Sequence, residues 1–107
     1  MAKIDVKKHS NIIELIKTCV EKGYYLDTRH AFDRQRERSI TRLEVLEVLR
    51  SVHHEKRKDE FKHEFGTWNY AIRGKTLDKK DLRIVVSFDD SKRLLIITAI
   101  EIVKKDK

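Results

Sequence analysis

Residues 30–41 read HAFDRQRERSIT, the stretch richest in groups that could do chemistry. Its composition predicts a helix over about 29–38, and on a helix residues four apart share a face. His30, Arg34 and Arg38 then form one stripe, while Arg36 points elsewhere. A histidine beside arginines suits phosphate chemistry. Imidazole exchanges a proton near neutral pH. The guanidinium fork matches phosphate oxygens and stabilises charge that develops on a phosphorane. The plainer alternative is a solvated helix, with Arg34 paired to Glu37 or Asp33 and His30 capping the helix or filling a core edge.

Other residues carry weaker signals. His53, His54 and His63, with Asp59, Glu60 and Glu64, supply atoms that bind metals. Adjacent histidines project to different faces, however, and no HExxH or paired CxxC spacing occurs, so a solvated surface and no metal are expected. Trp68 and Tyr70 alternate on one strand face, where they would either stack on unpaired bases or pack in the core. No glycine-rich phosphate loop and no nucleophile elbow is present. Cys19 sits on an apolar helical stripe and reads as core.

The elements that must position these groups follow from periodicity. Ile12, Leu15, Ile16, Cys19 and Val20 predict a helix over about 11–22, with Ser10 as its cap and Gly23 as its stop. Tyr24–Leu26 reads as a short strand or extended link. Thr41 followed by Glu44 predicts a capping box that opens a further helix, carried to about residue 51 by Leu43, Val45, Leu46, Val48 and Leu49. Trp68–Arg73, Arg83–Phe88 and Arg93–Ile102 read as strands, with a turn at 89–92. HHEKRKDEF could hold a charged outer strand. Helices first and strands after imply an α+β fold, with N-terminal helices on one face of a three- to four-stranded antiparallel sheet.

The chain of 107 residues is long enough for one core, so residues 1–107 are read as a single domain with flexible ends at 1–9 and 104–107. Lys and Arg number 25 against 18 acids, and a net charge of +7 attracts polyanions. The single cysteine excludes an internal disulfide and suits a reducing compartment. No run approaches a membrane span and no signal-peptide core follows the basic N-terminus, so a cytoplasmic protein is expected.

Several motifs together resemble one family. They are His30-Ala31-x-x-Arg34-x-x-x-Arg38-x-Ile40 followed by Glu44-Val45, then Tyr70-x-Ile72-x-Gly74-Lys75-Thr76-x-Asp78, Ile84-Val85-Val86 and Leu95-Ile96-Ile97-Thr98. Over about residues 25–102 the chain resembles DUF4258, a family of small bacterial and phage-borne proteins. Ser39 departs from it where glycine is expected, and Ala99 where a β-branched residue is. The resemblance implies a fold similar to the RelE/BrnT/MqsR toxins of type II toxin–antitoxin systems. It also implies metal-independent RNA cleavage, without a cofactor, by attack of a ribose 2′-OH on the adjacent phosphate. His30, Arg34 and Arg38 would be catalytic. Arg36, Arg73, Lys75, Arg83 and Tyr70 would bind RNA, and the protein partner would be an antitoxin. The alternative is a non-catalytic module that binds nucleic acid or protein.

Overall fold

In the computed structural model the described residues are 8–28, 40–50 and 53–103. The expected helix over 29–38 therefore lies outside the described residues. The first apolar stripe becomes helix α1 (Ile12–Lys22), which buries Ile12, Ile16, Cys19 and Val20. Its start differs from expectation. Asn11, not Ser10, is the capping residue, in a left-handed conformation (φ 53°) and with no side-chain cap. At the other end Gly23 takes φ 68°, and the amides of Gly23 and Tyr24 close on the carbonyls of Val20 and Cys19. Glycine holds that φ without a Cβ penalty.

Helix α2 (Arg42–Leu49) opens on the expected capping box. The Glu44 amide donates to Thr41 Oγ1 at 3.1 Å, and the Thr41 amide donates to Glu44 Oε1 at 2.9 Å. Its buried apolar residues are Val45, Val48 and Leu49, while Leu43 faces solvent. The two helices touch each other. α2 packs on the third and fourth strands, and α1 on the fifth.

The sheet has five strands, not three or four: β1 (Tyr25–Asp27), β2 (Glu60–Lys62), β3 (Thr67–Lys75), β4 (Asp81–Phe88) and β5 (Leu94–Glu101). Their order is β1-β5-β4-β3-β2. It is mixed, not antiparallel, because β1 runs parallel to β5 while every other pair is antiparallel. Local signals reveal hairpins. A parallel pairing needs a long connection, and nothing in the sequence near Tyr25 announces its distant partner. The likeness of this sheet to the RelE/BrnT fold remains a matter of resemblance.

On the helix-covered face Tyr70, Ile72, Leu82, Ile84, Val86, Leu94 and Ile96 are all at most 2% exposed. Between β4 and β5 the register slips. Val85 pairs with Thr98 and Val86 with Ile96, so Ile97 is the extra residue of a bulge. β3 is longer than β2, which pairs only with Thr67–Asn69. The rest of that edge is covered by residues 53–59, which create the site described next.

Candidate functional site

Residues 53–59 begin as a strand fragment beside β3. The Arg73 amide donates to the His53 carbonyl at 3.0 Å, and the Glu55 amide to the Ala71 carbonyl at 2.8 Å. The chain then bows out into a short 3-10 turn, Lys56–Lys58. The Ala71 amide would lose its acceptor there, and a buried amide without one is costly. The Asp59 carboxylate takes the vacated place, accepting from that amide at 3.0 Å.

Asp59 is wholly buried at its side chain and does more than mend the ladder. Its two oxygens lie 3.0 and 2.8 Å from His54 Nε2, and Lys8 Nζ reaches it at 3.0 Å. A buried carboxylate is tolerated when donors surround it. An ionised carboxylate only accepts, so Nε2 carries the hydrogen in this pair. Nδ1 of the same ring makes no hydrogen bond to the described residues, among which no buried side-chain nitrogen or oxygen lacks a partner.

Above this pair lies a cleft of about 670 Å³ lined by Lys8, His9, His53, His54, Lys56 and the first turn of α1, including Glu14. The Lys8 ammonium sits 4.6 Å from the centre of the Trp68 ring. The His9 amide donates to the Tyr70 hydroxyl at 3.0 Å, and the His9 ring packs edge-on against Phe88. Burial pushes the Tyr70 phenol up from its ordinary value, with the His9 amide acting in the opposite sense. His9 and His54 thus flank one buried tyrosine, their ring centres 6.2 and 6.0 Å from its own. Asn11 lends no side-chain cap to the first amides of α1, whose first turn lines the cleft.

The residues singled out from sequence are placed as follows. His30, Arg34, Arg36 and Arg38 lie outside the described residues. Arg73 and Arg83 are direct cross-strand partners on β3 and β4. Two like charges so placed repel unless carboxylates intervene. Asp81 takes Arg73 in a two-pronged bond of 2.9 and 2.6 Å, and Glu55 takes Arg83 Nε at 2.7 Å and Arg73 Nη1 at 3.4 Å. The Arg83 hydrogen bond, followed by the lesser pull of Arg73, holds the Glu55 carboxyl below its usual range despite burial. The Arg73 guanidinium is pushed up, first by its bond to Asp81. Both arginines are therefore committed to acids of this same chain.

Lys75 is exposed at the end of β3. Tyr70 is 2% exposed, with its ring in the core. Cys19 is buried, and desolvation raises its thiol above the ordinary value. Among the described residues no three His, Cys, Asp or Glu side chains gather as a metal site, and no helix is long and apolar enough to cross a membrane.

The pairing of His54 with Asp59 escaped the sequence reading, which weighed the two only as metal ligands. Five residues apart, they match neither helical nor strand periodicity. Only the bowed chain between them brings the ring back over the carboxylate.

The profile of a family described as "Domain of unknown function (DUF4258)" matches residues 28–101. The chain belongs to the DUF4258 family. That match takes in α2 and β2–β5, hence the His54–Asp59 pair, while Lys8, His9, α1 and β1 precede it. No curated protein and no solved structure matches this DUF4258 chain.

Proposed function

We propose that this DUF4258 protein is a toxin-like RNA endonuclease that works without a metal. The ribose 2′-OH would attack the adjacent phosphate and leave a cyclic or 3′-phosphate. In this reading His30 is general base or acid, and Arg34 and Arg38 hold the scissile phosphate. The observation that carries it is the cleft. It gathers imidazoles, which trade protons near neutral pH, and the Lys56 ammonium, which attracts phosphate, on a protein of net charge +7. Arg73 and Arg83 add little free charge, because Asp81 and Glu55 neutralise them. Lys75, exposed beyond them, can still meet a phosphate. An acidic antitoxin covering the basic surface is the partner this reading implies.

The test is cleavage of a single-stranded RNA in the presence of EDTA, with product ends identified by mass. Wild type should give 2′,3′-cyclic phosphate ends, and His30→Ala should cut at least about 100-fold more slowly, as expected for loss of a proton-transfer group. Equal cleavage by both proteins removes His30 from the reaction. Salt-dependent RNA binding with no cleavage by either would favour the non-catalytic binding module.

A further inference from the structure

We propose that the RNA backbone lies in the cleft between residues 8–14 and 53–56, and that His54, braced by Asp59, is the proton acceptor facing it. This assignment rests on the RNA reading above and adds a site and a residue to it.

Three independent features converge on the cleft. The first is charge. Lys56 lines it, and His9 and His53 add two more imidazoles, while Lys8 at its wall is paired with Asp59. The second is shape. A volume of about 670 Å³ accommodates a nucleotide-sized ligand, which ordinary ligand pockets of about 300–1,000 Å³ also do. The third is the state of His54. Its side chain is only 11% exposed, Nε2 is spent on a carboxylate that is itself fully buried, and Nδ1 makes no hydrogen bond to the described residues. An imidazole whose hydrogen is fixed on one nitrogen by a carboxylate offers a lone pair on the other. That is the arrangement by which a buried acid orients a general base.

The remaining charged groups around the ring are accounted for. Lys8 faces Asp59 from the N-terminal segment, Tyr70 lies against the ring from β3, and Glu14 faces the cleft from α1. Glu55, next in sequence to His54, is turned toward Arg73 and Arg83. Glu14 is the only carboxylate among the described residues lining this cleft, and it opposes an anionic ligand.

The step balances as follows. The 2′-hydroxyl proton passes to His54 Nδ1 as the 2′-oxygen bonds to phosphorus. The bond from phosphorus to the 5′-oxygen breaks, and its electron pair stays on that oxygen. The leaving oxygen takes a proton from water. Water later opens the cyclic ester or leaves it as product.

Binding and cleavage are measured separately. Binding uses a short, fluorescently labelled 2′-O-methyl RNA, which lacks the attacking hydroxyl and cannot be cut. Lys56→Glu should weaken it about tenfold and Glu14→Gln should strengthen it about threefold, each by changing charge at the cleft. Cleavage uses the unmodified RNA. His54→Gln keeps a donor for Asp59, so it should lower kcat at least about 100-fold with affinity for the uncut analogue within about threefold of wild type. Unchanged binding in both Lys56→Glu and Glu14→Gln overturns the site. Wild-type kcat in His54→Gln overturns the role of the ring. If wild type binds with the stated shifts yet cuts nothing, the nuclease reading falls and His54's chemical role with it, while the cleft stands as an RNA site.

Discussion

Asp59 shows how much one side chain can be asked to do. Its carboxylate completes a β-ladder, orients an imidazole and anchors the N-terminal segment through Lys8. Asp59→Ala would strand the Ala71 amide and the His54 Nε2 hydrogen without acceptors. Removing one partner from a buried, charge-assisted set is strongly destabilising. We expect a loss of about 2–4 kcal/mol, less than for a fully enclosed pair because Lys8 is partly exposed. Urea denaturation measures it. His54→Gln should lose no more than about 1 kcal/mol, since the amide still donates to Asp59. An Asp59→Ala protein as stable as wild type would show that the pair is ornamental.

At the scale of elements, the capping box was legible because its signal is local. Threonine and glutamate three residues apart satisfy each other's amides whatever surrounds them. Thr41→Ala should therefore cost about 1 kcal/mol, read as a lower midpoint of thermal unfolding. No change would mean that α2 is held by packing alone. The three long strands were equally legible, since apolar runs such as RIVVSF and LLIITAI need buried surface on both sides of a turn. The start of α1 was not. Ser10 has the right chemistry for a cap, yet the tie of His9 to Tyr70 draws the entering chain against the sheet, and Asn11 turns it with a positive φ. The bulge at Ile97 was hidden for a related reason. In a continuous apolar run, no change of polarity marks the residue that is skipped.

For the molecule as a whole, charge governs both partners and pH response. Two glutamates among the described residues are held below their usual range: Glu44 first by the Thr41 backbone amide and then by Lys80, and Glu55 first by Arg83. A carboxyl whose pKa is lower folded than unfolded stabilises the fold above the unfolded value. That stability fades as pH falls from about the model-peptide value of 4.5 through the lower folded value. The protein should lose stability below about pH 4.5, and Glu55→Gln should flatten that acid limb while costing stability at neutral pH, where it frees Arg83. Thermal melts from pH 7 down to pH 3 on both proteins check it. Parallel acid limbs would assign the loss to other groups.

The amino-acid sequence by itself determined the α+β class, the α2 cap, the three long strands, the cationic character and the family. Each depends on residues near one another in the chain or on composition. The tertiary structure decided the parallel β1, the neutralising of Arg73 and Arg83 across the sheet, and the meeting of Lys8, His9, His54 and Asp59. Those depend on segments as distant in the chain as Tyr25 and Leu94, on carboxylates that meet the arginines across β3 and β4, or on a local bow that breaks every regular period, and periodicity carries no information about any of them.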